Sequence, residues 1–148
     1  MNNLLFKKLN PEAQTPVRQH PDDAGLDLFS VEDTVIPAQG RTVVGTGISV
    51  AIPKGYAGFI QPRSGLAAKR GITVLNTPGL IDSGYRGELL VILYNTNLYN
   101  YAEIGKGDRI AQLVILPVAF PELVEVSELE KSDRGEGGLG STDEVILS

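Results

Sequence analysis

The run Arg41-Thr42-Val43-Val44-Gly45-Thr46-Gly47-Ile48-Ser49-Val50-Ala51-Ile52-Pro53-Lys54-Gly55-Tyr56-Ala57-Gly58-Phe59-Ile60-Gln61 reads as three strands cut by two breaks. β-Branched and aromatic residues fit a pleated surface, whereas proline and glycine punctuate it. The pattern predicts strands over Arg41–Val44, Ile48–Ile52 and Tyr56–Gln61. The same signals recur outward from it. Further strands are expected at Leu4–Lys8, Leu26–Ser30, Thr34–Ile36, Ile72–Val74, Glu88–Asn95 and Arg109–Pro117. Their breaks fall at Pro37-Ala38-Gln39-Gly40, Thr77-Pro78-Gly79 and Gly105-Lys106-Gly107-Asp108. One short helix is expected at Ser64–Arg70, with Ser64 able to cap it. Many short strands and a single helix indicate an all-β sandwich, jelly roll or barrel, not a series of βαβ units.

The 148 residues suit one domain with a genuine core, and 42% apolar content makes the chain globular. The composition shifts after about Ser127, so we expect a β-rich body over 1–127 and a flexible arm over 128–148. Thirteen basic against 18 acidic residues give a net charge of −5, which argues against nucleic-acid or membrane binding through bulk charge. Any phosphate site must therefore concentrate its cations locally, which singles out Arg63, Arg86, Arg109 and Arg134. With no cysteine there is no disulfide frame or thiolate metal site, as suits a cytoplasmic protein. With one histidine, His20, a zinc site built from several imidazoles is excluded. Met1 to Leu9 is short and carries two lysines, so neither a signal peptide nor a membrane span is expected.

Five segments carry possible chemistry. In Ala24-Gly25-Leu26-Asp27-Leu28, strand alternation sends Asp27 to the face opposite the leucines, where it can orient metal-bound water, pair with an arginine or face solvent. In Pro62-Arg63-Ser64-Gly65-Leu66-Ala67, a strand gives way to a helix whose first N–H groups suit an anion; an ordinary cap beside a surface arginine would read the same. In Leu80-Ile81-Asp82-Ser83-Gly84-Tyr85-Arg86-Gly87-Glu88, a carboxylate sits at a strand end. It could accept a proton from an attacking water or simply close a turn. Tyr85 there offers a flat face to a sugar or base. In Gly107-Asp108-Arg109-Ile110-Ala111-Gln112, Asp108 and Arg109 are expected to pair and pin the turn, and Gln112 could donate to a phosphate.

The fifth segment is Arg134-Gly135-Glu136-Gly137-Gly138-Leu139-Gly140-Ser141-Thr142. Four of the six residues from Gly135 to Gly140 are glycine, so successive N–H groups can converge on an anion. Arg134 adds a guanidinium fork, and Ser141 and Thr142 add hydroxyls. The lysine of a P-loop is missing and no strand–helix frame surrounds the glycines, so a Walker-type ATPase is not indicated. A solvated glycine-rich tail is the plainer alternative.

Taken in order, these segments resemble the five motifs of the trimeric dUTP pyrophosphatases. Ala24–Ser30 is similar to the first motif, Pro62–Ala67 to the second, Asn76–Glu88 to the third, Lys106–Gln112 to the fourth and Arg134–Asp143 to the fifth. The resemblance implies a distorted jelly roll or β-barrel with one short helix. It implies a homotrimer whose sites lie between subunits, each closed by a C-terminal arm. The implied reaction hydrolyses dUTP to dUMP and pyrophosphate with Mg2+ on the triphosphate, which keeps uracil out of DNA and supplies dUMP for thymidylate synthesis. By the same resemblance Asp82 activates the water, Ser64 binds phosphate oxygens with Arg63 and Gly65 beside it, and Gln112 also holds phosphate. Asn76 reads the uracil edge with backbone groups of Leu80 and Ile81. Tyr85 stacks on the deoxyribose and Leu90 touches the nucleotide through its backbone. Asp27 meets metal only through water, or pairs with an arginine. Arg134, Gly138, Gly140, Ser141 and Thr142 enclose the β- and γ-phosphates.

Two positions depart from the family pattern. Leu139 stands where an aromatic usually caps the uracil, and Asp143 stands where glycine is common. The related dCTP deaminases share the turn at Ile81-Asp82, but their general-base glutamate falls on Ile92, which cannot shuttle a proton. A nucleotide-sensing module is the other alternative, disfavoured by the joint presence of Asp82, Ser64, Gln112 and Arg134. The apolar run Glu144-Val145-Ile146-Leu147 could strap onto a neighbouring subunit.

Overall fold

A computed structural model of the chain describes residues 3–143; the apolar run from Glu144 lies outside them. Eleven strands and one helix follow one another within that span. They are β1 Leu5–Lys8, β2 Leu26–Phe29, β3 Thr34–Ile36, β4 Arg41–Gly45, β5 Ile48–Ala51, β6 Tyr56–Gln61, α1 Ser64–Arg70, β7 Ile72–Val74, β8 Gly79–Ile81, β9 Leu90–Asn95, β10 Ala102–Ile104 and β11 Arg109–Pro117. All pairings are antiparallel. One sheet runs β2-β11-β6-β8 and a second runs β4-β9-β7; β1 pairs with β5 and β10 with β3. The sheets pack as a jelly roll and do not close into a barrel.

Alternation places the core. In β9, Val91, Leu93 and Asn95 are buried while Ile92 and Tyr94 are only partly covered. Val91 and Leu93 join Ile36, Val44, Ile72, Leu89, Ile110 and Leu113, all fully enclosed, in one cluster between the sheets. Asn95 is the polar member at full burial. Its Nδ2 donates to the carbonyls of Ile36 (3.2 Å) and Asn100 (2.9 Å), and its Oδ1 accepts from Asn97. Such complete pairing is what permits a buried amide.

Three expectations need correction. The expected strand from Glu88 starts at Leu90, because Glu88 and Leu89 are tied into the β4–β5 turn instead. Two three-residue strands, β8 and β10, were not foreseen. Ser64 does not cap α1: Arg63 holds the N-cap position with extended backbone and no side-chain cap, and Ser64 is the first helical residue. At the other end Gly71, with φ of +63°, closes the helix by donating to Ala67 and Leu66 carbonyls.

Candidate active site

The first cluster lies where β2, β11 and the end of β6 meet. Asp27, Gln112 and Gln61 stand side by side in register across the three strands. The Asp27 side chain is 10% exposed and is held from three sides. Arg63 Nε lies 3.2 Å from Oδ1, Arg109 Nε 3.7 Å from Oδ2, and Gln19 Nε2 donates to Oδ2 at 3.0 Å. The expected pair of Asp108 with Arg109 does not form. The Asp108 carboxylate instead accepts the Gly105 N–H at 2.8 Å and closes its own turn.

A bulge is the reason Arg109 reaches Asp27. Arg109 is opposite Phe29 and Ala111 opposite Leu28, so Ile110 is the extra residue in β11. Residues directly opposite share a sheet face. The bulge therefore puts Arg109 on the face of Asp27 and Gln112, where strict alternation would have put Ile110. Ile110 goes into the core, and the Arg109 guanidinium lies 6.0 Å from the Phe29 ring centroid. Gln112 donates to the Pro62 carbonyl at 3.0 Å, which anchors the loop carrying Arg63, and its amide keeps a second N–H. A Cβ on Gly25 would overlap the Gln112 amide, so a larger residue there would displace that side chain. Ser64 and Gly65 are exposed at the start of α1, beside this cluster of two cations and one anion.

The second cluster is the turn after β8. Ile81 is opposite Gly58 of β6, and Asp82 follows it, exposed, with its carbonyl accepting the Tyr85 N–H at 3.1 Å. The Tyr85 hydroxyl donates to the Glu88 carbonyl at 2.8 Å, which lays the ring across Gly87. Leu80 and Leu90 are both exposed. Asn76 precedes β8, its side chain packed against Gly79.

The third element is the arm. Among the described residues, the hydrogen bonds of residues 132–143 all run within the arm, as successive turns at Gly135, Gly137, Ser141 and Asp143. Gly135 and Gly140 take positive φ, +56° and +70°. Arg134 donates from Nε to its own Gly137 carbonyl at 2.7 Å, leaving the guanidinium's other donors for a ligand. Gly138, Ser141 and Thr142 are exposed and Leu139 is fully so.

One chain does not bring these three elements together. On β6, Gln61 marks the first cluster and Gly58 the second, about 10 Å apart at 3.3 Å per residue. Ser64 and Asp82 lie beyond those pairs in opposite directions, too far apart to hold one phosphorus atom within a single copy. Among the described residues no three histidine, cysteine, aspartate or glutamate side chains gather as a metal site. Asp27, already ion-paired with two arginines and accepting from one amide, fits a divalent ion only across a water. A bound polyphosphate would bring the ion's direct oxygen ligands. Residue-by-residue reading left out Gln19, as well as Glu88 and Ser49 discussed below; the only signal for them was their nearness in sequence to the motifs or to the β4–β5 turn.

Residues 11–143 match the family model described as dUTPase. A deoxyuridine 5'-triphosphate nucleotidohydrolase of Paramecium bursaria Chlorella virus 1 is 55% identical over 142 residues, covering 96% of this chain and 99% of its own. Among solved structures, a Staphylococcus bacteriophage 80alpha dUTPase with dUPNHPP superposes with a TM-score of 0.89 at 37% identity, covering 96% of this chain and 99% of that one. A mutant dUTPase of phage phi11 of S. aureus, described for its coordination of a structural Mg(II) ion, gives 0.82 at 34% identity over 88% of this chain and 100% of that one.

Proposed function

The chain belongs to the dUTPase family, and on that premise we propose that three copies of it share the work of each active site. It hydrolyses dUTP to dUMP and pyrophosphate. In this reading the Asp27, Arg63, Ser64, Gly65 and Gln112 cluster of one copy receives the phosphates. The Asn76–Leu90 turn of a second receives the nucleoside, and the arm of a third closes the site. The observation that supports it is the split along β6: the water-activating carboxylate and the phosphate seat are each well built, yet in one copy they face different ends of the strand. Exposed Leu123, Val124 and Leu129 in the segment leading to the arm also favour burial against neighbours.

Asp82 orients a water and takes its proton as the oxygen attacks the α-phosphorus; the α–β bridging bond breaks and pyrophosphate leaves. Developing charge on the phosphoryl oxygens meets the Ser64 and Gly65 N–H groups, Arg63 and Gln112. Arg63 holds its place through Asp27, so it presents its terminal donors without reorganising. Arg134, Gly138, Gly140, Ser141 and Thr142 take the β- and γ-phosphates. Asn76, with the backbone of Leu80 and Ile81, reads the uracil edge; Tyr85 lies under the deoxyribose and Leu90 contributes backbone. Leu139 gives the base apolar cover. Asp27, across a water, would help hold Mg2+ on the triphosphate, and the ion would offset phosphate charge that a protein of net charge −5 would otherwise repel. The reaction keeps dUTP from DNA synthesis and yields dUMP, in the cytoplasm.

The test is pyrophosphate release from dUTP, dTTP, dCTP and UTP with and without Mg2+, together with the mass in solution. Release from dUTP alone, Mg2+-dependent, at three times the chain mass is the expected result. A fully active monomer would overturn the shared site, and ammonia from dCTP would redirect the reading to deamination.

A further inference from the structure

Tyr85 is held by a brace that comes from the β4–β5 turn, about forty residues away in sequence. The Glu88 carboxylate accepts the Gly47 N–H at 2.7 Å. It fits there because Gly45 has no side chain: a Cβ on Gly45 would stand 2.8 Å from Oε1. The same residue's backbone carbonyl receives the Tyr85 hydroxyl at 2.8 Å. Glu88 is thus tied to the turn by its side chain and to the tyrosine by its main chain. Ser49, 7% exposed, donates its hydroxyl to the Arg86 carbonyl at 2.6 Å, so the residues on both sides of Gly87 are fixed. Leu89 needs neither tie to keep its place. Its N–H donates to Ile48 at 2.7 Å and its carbonyl accepts from Thr46 Oγ1 at 2.7 Å. The Tyr85 N–H in turn closes the turn on Asp82 at 3.1 Å, so a shift of the platform also reaches the carboxylate.

We infer that Glu88, anchored on Gly47 and assisted by Ser49, is a positioning residue that sets how strictly the site separates 2′-deoxyribose from ribose. The inference rests on the proposed placement of Tyr85 under the sugar. A ring fixed at both its hydroxyl and its backbone cannot retreat from an added 2′-oxygen, whereas a ring that can tilt accommodates it. The carboxylate-to-amide bond is charge-assisted, and losing it also leaves the Gly47 N–H without its partner. Glutamine can accept the same bond, so Glu88→Gln should retain the brace, while Glu88→Ala removes it. Gly45→Ala attacks it from the other side by crowding the carboxylate off Gly47.

The experiment measures kcat/KM for dUTP and for UTP in Glu88→Ala, Glu88→Gln, Gly45→Ala and Tyr85→Ala, with thermal unfolding of each. Glu88→Ala and Gly45→Ala should lower the dUTP-to-UTP ratio by about fivefold or more, the rate equivalent of one net hydrogen bond. Glu88→Gln should stay near the parent ratio. If Tyr85→Ala lowers the ratio but Glu88→Ala does not, the brace is wrong and the platform stands. If Tyr85→Ala leaves the ratio unchanged, the placement of the sugar is wrong. Should Glu88→Ala fail to fold, the Gly45→Ala ratio decides, and no change there overturns the brace.

Discussion

The body and the arm face the same substrate by opposite physical means. In the body the reacting groups are fixed before any ligand arrives. Asp27, on β2, is gripped by Arg63, Arg109 and Gln19, and Tyr85 is pinned at both ends in the turn after β8. Among the described residues, the arm from Ser132 to Asp143 bonds only to itself, with glycine at four of the six positions from Gly135 to Gly140. Ordering such a segment costs roughly 1–2 kcal/mol per residue of backbone entropy, which ligand contacts must offset. The body therefore supplies preorganisation, and the arm supplies contacts that exist only when polyphosphate is bound. Substitutions in the body should act on the chemical step or on folding. Substitutions in the arm should act on activity with folding untouched.

The sharpest way to break this contrast is to delete residues 134–148. Among the described residues no fully buried core residue lies beyond Leu113, so the unfolding midpoint of the remaining chain should be unchanged. Turnover of dUTP should fall by about a thousandfold or more, the scale of losing an arginine that stabilises a transferring phosphoryl group. A parallel loss of thermal stability would show that the arm is part of the fold. Asp82→Asn comes next. Asp82 is exposed and accepts no side-chain hydrogen bond, so its change should leave folding and KM near the parent while kcat drops about 10²–10⁴-fold, the usual share of a general base. Asp27→Ala mixes the two behaviours. It leaves two guanidinium groups facing each other without their anion, so we expect lower stability and a kcat/KM reduced by about 10–100-fold, as when supporting partners of a site are lost. Asp27→Ala with full activity would show that Arg63 holds its place without it.

How far each region could be read in the sequence follows the same division. The bounds of β6 and β11 were legible because proline and glycine breaks stand directly before them, at Pro53-Lys54-Gly55 and Gly105-Lys106-Gly107. β8 escaped because Gly79-Leu80-Ile81 is three residues long, opens on glycine and is strand only by pairing with β6, a contact that local pattern does not encode. β10 escaped likewise, its Ala102-Glu103-Ile104 existing as strand through β3. The place of Arg109 depended on a bulge, which only register reveals; its nearness in sequence to Asp108 suggested a pair that does not form. Asp27 was left open between water, arginine and solvent; the fold pairs it with arginine, because the N-cap loop and the bulge both deliver guanidinium groups to one buried carboxylate, and leaves a role through metal-bound water to the bound substrate. The ordered motifs named the site's parts, but not that one copy holds them at two ends of a strand.

The smallest effect, and the one that most sharpens the contrast, is Leu139→Phe. Leu139 is fully exposed and touches no core, so a larger apolar residue there has nothing to overpack and stability should not move. Its effect can appear only when the arm closes. An aromatic ring over a base contributes about 1–3 kcal/mol, of which leucine already provides the apolar cover but not the stacking. The remainder should lower KM about threefold to tenfold and slow release of product, with the chemical step unaltered because Asp82 and its turn are untouched. Steady-state KM with single-turnover rates separates these quantities. An unchanged KM would mean that Leu139 does not lie over the uracil, and the arm would then act on the phosphates alone.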